Sequence, residues 1–326
     1  MSNEQENMNL DEIYYKPVRN GKLKTVRYFF EAVGVFVFYG VFWLMPLDFS
    51  SWIGGKLFRK LAPLSKKHKV ALMNLEIAFP EKTPEERQKI ALDEWENIGR
   101  TLFEYPHINK GDLIKRMKFV DVEYAYEFLG ENKGGFILSM HYGNWEMTSC
   151  IVQASKQKAS FIYRKPNNPF LLRLFKERGK RIGGEMIGKD ENSLMKMMKH
   201  ISKKEIVGLL IDQKLFEGVP VKFFGLDAMT TPAPAIVAKR YGAPMLIAKV
   251  ERINMSANFE VTFHKVIKVE KGAADMETIT KITQELSDIT EKWIRENPSQ
   301  WLWIHRRWTK EVIAAELERR KQQENK

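Results

Sequence analysis

A histidine and a glutamate five positions apart form the first pair that could do acid–base chemistry. His141 follows an apolar run at residues 135–140, and Glu146 comes shortly after it. On one continuous helix, this spacing would point the two side chains roughly 140° apart. A junction of strand, turn and helix, with Gly143 in the turn, would instead let Glu146 fold back onto the imidazole. A carboxylate on one ring nitrogen would leave the other nitrogen as a general base.

Further polar residues are candidates for binding a substrate. Arg164 and Asp212 each directly follow a short apolar run that is typical of a buried strand. Guanidinium groups match phosphate or carboxylate geometry, and a carboxylate at a strand end could orient an arginine or an acceptor hydroxyl. A turn residue is the alternative for Asp212, and an exposed basic face is the alternative for Arg178 and Arg181. The candidate substrate-binding residues are Arg164, Asn144, Asp212, Arg178, Arg181, Arg306 and Arg307.

The pattern around these residues predicts one layered α/β domain. Short apolar runs alternate with amphipathic stretches from residue 134 onwards, which indicates a central mixed sheet flanked by helices. Strands are predicted at residues 135–140, 160–163, 206–211, 245–250 and 259–266. Two helices are predicted before the sheet, one that ends before Pro80 and one that begins after Thr83. Further helices are predicted at residues 144–155, 169–182, 191–203 and 231–242, followed by a long helix that ends at Asn297.

An apolar run near the N-terminus indicates a membrane anchor. Residues 26–47 approach the length of about 20 residues that a membrane-spanning helix needs. Lysines and arginines flank the run on both sides, which suits a single span, a hairpin or an interfacial anchor. A buried core helix is the alternative. We predict a polar N-terminus over residues 1–25, an anchoring segment over 26–60, a catalytic domain over 61–310 and a charged helix over 311–326.

Composition excludes several classes of protein. The chain has 326 residues, and one cysteine rules out both an intramolecular disulfide and a zinc site built on paired cysteines. The mean hydropathy of -0.38 excludes a protein with many membrane spans. The sequence has no Walker A loop, Rossmann fingerprint or Gly-x-Ser-x-Gly elbow, and we expect no metal. The net charge of +12 favours a polyanionic partner: nucleic acid, anionic lipid headgroups or an acidic protein.

Several segments together resemble the bacterial lipid A biosynthesis acyltransferases, the lauroyl and myristoyl transferase family. The resemblance covers nearly the whole chain, and the C-terminal His-Arg-Arg-Trp segment is among its more specific parts. The similar segments are Asn74 with Phe79-Pro80, residues 141–146, residues 163–169, Asp212-Gln213, residues 223–225, residues 230–232 and residues 303–308.

The resemblance implies a glycerolipid-acyltransferase-like fold and a membrane-attached O-acyltransferase. His141 would act as the base with Glu146 beside it, and no cofactor would be needed because acyl-ACP or acyl-CoA donates the acyl group. The expected partners are acyl carrier protein, a phosphorylated glycolipid and an anionic membrane, without nucleic acid. The expected location is the bacterial inner membrane, with the catalytic domain facing the cytoplasm. Alternatives are a lysophospholipid or ornithine-lipid acyltransferase, or a non-catalytic basic protein that binds membrane or nucleic acid.

Overall fold

A seven-stranded sheet forms the centre of the molecule. The computed structural model describes residues 22–110, 113–131, 133–155, 157–174, 184–189 and 192–324. The strands within this part of the chain are β1 (Met117–Val120), β2 (Gly135–Ser139), β3 (Ala159–Tyr163), β4 (Met186–Gly188), β5 (Ile206–Leu210), β6 (Val219–Phe223), β7 (Leu226–Thr230), β8 (Met245–Arg252) and β9 (Phe259–Phe263). Their order in the sheet is β1-β9-β8-β2-β5-β3-β4, and β6 and β7 form a separate antiparallel hairpin.

Neighbouring strands of the central sheet are parallel, with one exception. The β8–β9 pair is antiparallel, so the sheet is mixed, as the sequence predicts. Parallel neighbours need crossover connections, and helices supply most of them. The helices in the described part of the chain are α1 (Lys22–Leu44), α2 (Leu47–Leu61), α3 (Lys66–Ala78), α4 (Pro84–Glu104), α5 (Val122–Gly130), α6 (Thr148–Ser155), α7 (Ser193–Ser202), α8 (Ala233–Tyr241), α9 (Met276–Glu296) and α10 (Lys310–Glu324).

Apolar side chains cover both faces of the central sheet, as the interior strand β2 shows. All five residues of β2 are buried. Phe136 and Leu138 belong to one hydrophobic cluster, and Ile137 belongs to another. Successive strand residues point to opposite faces, so the two clusters lie on the two sides of the sheet. This arrangement produces the flanked α/β architecture that the alternating pattern predicts.

The apolar N-terminal run forms helix α1 and continues into α2. Within the described residues, one stretch, Lys24–Leu44, is long and apolar enough to cross a membrane. The helix predicted at residues 169–182 begins with a 3₁₀ turn at Pro169–Leu171, and its later part falls outside the described residues. The elements that the sequence pattern did not predict are β1, β4, α5 and the β6–β7 hairpin.

Candidate active site

Two neighbouring parallel strands bring His141 and Asp212 together. Ser139 at the end of β2 pairs with Leu210 at the end of β5. The residues two positions later therefore lie side by side at the carboxyl edge of the sheet. His141 Nδ1 lies 2.8 Å from Asp212 Oδ1, and the backbone N–H of His141 donates to Asp212 Oδ2 at 2.9 Å.

The carboxylate of Asp212 is buried and held by three donors. Besides the two contacts with His141, the indole N–H of Trp301 donates to Oδ2 at 2.8 Å. Burial alone would raise the pKa of Asp212, but the nearby imidazole and these hydrogen bonds outweigh it and lower the pKa to about 2. Asp212 is therefore charged at neutral pH, and Nδ1 of the imidazole carries the proton that it shares with Oδ1. This fixes Nε2 as the acceptor nitrogen.

The acceptor nitrogen of His141 faces a large cleft. The side-chain amide of Gln213 donates to Nε2 at 3.1 Å. The cleft has a volume of about 690 Å³, and its lining includes His141, Trp145 and Glu146. The apolar residues that line the remainder include Phe161, Ile162, Met186, Leu194, Met197, Leu209, Leu210, Leu215 and Ile236. A cavity with this lining suits a long aliphatic chain.

The contact predicted between Glu146 and His141 is corrected by the structure. The partners of the two ring nitrogens are Asp212 and Gln213. Glu146 lies in a 3₁₀ turn, Trp145–Met147, that follows the tight turn at Gly143. It lines the cleft beside His141 but does not take the position behind the ring. Register of the two strands, rather than distance along the chain, decides which carboxylate meets the imidazole.

The prediction that Asn144 binds substrate is also corrected. Its side chain is fully buried, and its amide donates to Glu104 Oε2 at 2.7 Å. Glu104 pairs in turn with Arg252, which donates to the same oxygen at 2.9 Å and to Asn97 at 2.8 Å. Asn144 thus belongs to a buried polar network beneath the turn that carries His141. It has no exposed surface with which to meet a ligand.

Arg307 is structural, contrary to the prediction that it binds a headgroup. It is 1% exposed and donates to the carbonyl of Met229 at 3.1 Å and to Thr230 Oγ1 at 2.6 Å. Burial lowers the pKa of its guanidinium to about 10, against the opposing effect of the charge on Asp212. Arg306 is exposed and lies outside the cleft lining. His305 faces inward, and burial lowers its pKa to about 4, so this imidazole is neutral at pH 7.

A second cation accompanies Arg164 in the cleft. Arg164 lies at the end of β3, as predicted, and Lys189 follows β4, the neighbouring strand. Burial lowers the pKa of Lys189, and the charge of Arg164 lowers it further. The sequence pattern does not reveal Lys189 as a site residue, because β4 has only three residues. Arg178 and Arg181 lie outside the described residues.

The chain is similar in sequence to several known acyltransferases. Lipid A biosynthesis palmitoleoyltransferase of Escherichia coli (strain K12) is 25% identical over 282 residues, which are 82% of this chain and 89% of the relative. Lipid A biosynthesis lauroyltransferase of the same organism is 22% identical over 298 residues, covering 86% and 92%. Phosphatidylinositol mannoside acyltransferase of Mycolicibacterium smegmatis is 21% identical over 233 residues, covering 70% and 74%.

The family predicted from the motifs is confirmed by a family model. The model described as bacterial lipid A biosynthesis acyltransferase matches residues 17–310, which is most of the chain. The matched range contains the sheet, the cleft and the His141–Asp212 pair. The chain therefore belongs to the bacterial lipid A biosynthesis acyltransferase family and is an acyltransferase.

Proposed function

We propose that this chain moves a fatty acyl group from a thioester to a hydroxyl of a lipid A precursor, with His141 as the general base. The observation that carries the proposal is the fixed imidazole at the wall of an apolar cleft. Asp212 holds Nδ1, and Nε2 points to a polar partner at 3.1 Å in the cleft. An acceptor hydroxyl would take the position of that amide.

The proposed reaction needs no covalent intermediate on the enzyme. Nε2 of His141 takes the proton of the acceptor hydroxyl while its oxygen attacks the thioester carbonyl. The tetrahedral intermediate collapses, the carbon–sulfur bond breaks, and the imidazolium returns its proton to the leaving thiolate. Asp212 stabilises the imidazolium because its carboxylate is already charged and in contact with Nδ1.

Glu146 has a different role in this proposal from that predicted by the sequence. Glu146 lines the same cleft as His141, whereas the imidazole is held by Asp212. We assign Glu146 to the acceptor, where it would accept a hydrogen bond from a sugar hydroxyl. The catalytic dyad is then His141 with Asp212, and Glu146 is a substrate-binding residue.

Arg164 and Lys189 support a phosphorylated acceptor. Both line the cleft, and no ion pair or hydrogen bond from either side chain occurs within the described residues. Two cations close enough for one to lower the pKa of the other favour an anion between them. A lipid A precursor fits this requirement, and two of the relatives described above are named as lipid A biosynthesis enzymes. A lysophospholipid or an ornithine lipid is the alternative acceptor.

The donor and the location complete the proposal. Acyl carrier protein is acidic, and a chain with 53 basic and 41 acidic residues suits it. Acyl-CoA is the alternative donor. We place the enzyme at the inner membrane with its cleft on the cytoplasmic side, where acyl carrier protein is made, and assign α1 to the attachment.

The test is acyl transfer by His141→Ala in purified, detergent-solubilised protein. We expect the rate to fall by at least about a thousandfold, because the hydroxyl loses its base. His264→Ala is the matched control, since His264 lies just beyond the end of β9, outside the cleft lining, and its imidazole hydrogen-bonds to the neighbouring carbonyl of Lys265. Near-normal transfer by a His141→Ala variant that melts like the wild type would refute the proposed mechanism.

A further inference from the structure

Helix α1 has two opposite faces along its whole length. Tyr28 and Ala32 are buried, and Val35, Phe38 and Phe42 continue this side as partly buried residues. Their spacings of three and four residues define one stripe of the helix. The opposite side is apolar and exposed, and consists of Val26, Phe30, Val33, Val37, Val41 and Leu44. Phe30, Val37 and Leu44 are 66%, 59% and 77% exposed.

The buried stripe contacts the catalytic domain near both ends of the helix. Towards the N-terminal end, Asn168 donates its amide to the carbonyl of Tyr28 at 2.7 Å. Towards the other end, the rings of Phe38 and Phe42 pack against Phe103 of α4, with centroid distances of 4.8 and 4.4 Å. The catalytic domain therefore extends alongside α1 for most of its length.

These contacts conflict with a helix that crosses a bilayer. Tyr28 and Phe42 are 14 residues apart, or about 21 Å along a helix axis. The hydrocarbon core is about 30 Å thick. If α1 crossed this core, Asn168 and Phe103 would lie at depths that differ by most of its thickness. The domain that carries both residues would have to enter the lipid with its charged surface, which is costly.

Charged groups occur beside both ends of α1. An exposed ion pair, Arg27 with Glu31, lies near its start. Another pair, Asp48 with Arg116, lies just beyond its end and connects the start of α2 to the segment before β1. When α1 lies at the membrane surface, with its two ends at similar depth, both pairs remain hydrated on the same side as the catalytic domain. We propose that α1 lies in the plane of the membrane, with its exposed face among the acyl chains of one leaflet, and does not span the bilayer.

Exposed residues of helix α2 favour an anionic bilayer as the partner that covers the exposed face of α1. Phe49 and Trp52 are half exposed, and their rings stack with centroids 6.1 Å apart. Lys56 and Lys60 are also exposed on α2. Exposed aromatic residues beside lysines are typical of an interfacial helix on anionic lipid. The cleft would then open beside the headgroups, since Asn168 connects the segment after Arg164 to α1.

The test is the depth profile of spin labels along the exposed face of α1. The full-length chain with its lone cysteine replaced, Cys150→Ala, would carry single cysteines at positions 26, 33, 37, 41 and 44 in vesicles of phosphatidylglycerol and phosphatidylethanolamine. Collision with oxygen and with a water-soluble nickel complex reports depth. Lys222→Cys, exposed on β6, is the aqueous control. Variants with wild-type melting temperatures are compared.

An in-plane helix predicts five depths within about 5 Å of one another, all in the outer part of one leaflet. A spanning helix predicts depths that vary over about 27 Å and pass through the midplane near the centre of the series. That result would overturn the proposal. So would labels that the nickel complex reaches as readily as it reaches the control, which would place the face in water. Labels that neither reagent reaches would also overturn it, because they would show that another protein covers the face. The readout requires no acyl transfer, so it can fail independently of the proposed function.

Discussion

At the scale of single residues, the site depends on the three hydrogen bonds that fix the carboxylate of Asp212. One carboxylate oxygen meets the imidazole, and the other accepts from the backbone of His141 and from Trp301. Because these contacts lower its pKa to about 2, Asp212 is charged at neutral pH and can stabilise a positive charge on the imidazole.

The role of Arg164 can be tested by a change that keeps its charge. Arg164→Lys removes the planar fork that matches a phosphate, so we expect the KM for a phosphorylated acceptor to rise roughly 5- to 30-fold with kcat little changed. The same change at Arg306, which is exposed and outside the cleft lining, should leave KM within twofold. An unchanged KM for Arg164→Lys, or an equal effect at Arg306, would remove the phosphate assignment.

The sequence predicts where the site residues lie along the chain better than it predicts which side chains contact one another. His141 and Asp212 were each predicted at the end of a buried strand, and both are there. Their contact depends on β2 and β5 being neighbours in register, which one sequence does not reveal. Arg307 looks like a headgroup ligand in sequence, but the fold buries it against Thr230. Side-chain charge alone does not distinguish these environments.

At the scale of elements, the turn after β2 positions the imidazole. Gly143 has a φ of +54°, and a Cβ there would lie 1.9 Å from the carbonyl oxygen of Val250. Its own carbonyl accepts from Asn97 at 2.9 Å and from Thr101 at 3.2 Å, and its N–H donates to the carbonyl of Gln300. The turn is thus fixed from three sides, which fixes the path of the chain beside His141.

Replacement of Gly143 should therefore disrupt both stability and activity. Gly143→Ala introduces a clash with backbone and a strained φ, so we expect a loss of about 2–4 kcal/mol in the free energy of unfolding and a marked fall in kcat. Thermal melting and the transfer assay measure these effects. Gly225→Ala is the control, since Gly225 also has a positive φ, of +77°, but has open space around its Cβ position. Equal melting temperatures for the two variants would contradict this account of the turn.

The elements that sequence reasoning missed are short or lie away from the centre of the sheet. β4 has three residues and β1 has four, too few to show an alternating pattern. Long amphipathic elements such as α9 and buried strands such as β2 were predicted, because their patterns extend over enough positions. β4 still matters for the site, since Lys189 follows directly after it.

At the scale of the whole molecule, the net charge of +12 predicts that binding of an acidic acyl donor depends on salt. If acyl carrier protein is the donor, its acidic surface should be attracted to the enzyme, and salt should weaken this attraction. We expect the KM for acyl-ACP to rise at least about fivefold between 50 and 500 mM NaCl. A neutral acyl-pantetheine donor should show little change in the same buffers. A KM for acyl-ACP that is independent of salt would argue against this donor.

The most direct test of the central claim is the kcat of Asp212→Asn at saturating donor and acceptor. The amide is similar in size but cannot stabilise an imidazolium, so we predict a kcat about a thousandfold lower, with KM values within about threefold of wild type. Glu146→Gln, measured in parallel, should act mainly on the KM for the acceptor. A folded Asp212→Asn variant with near-normal kcat, or one whose loss appears in KM alone, would contradict the His141–Asp212 dyad.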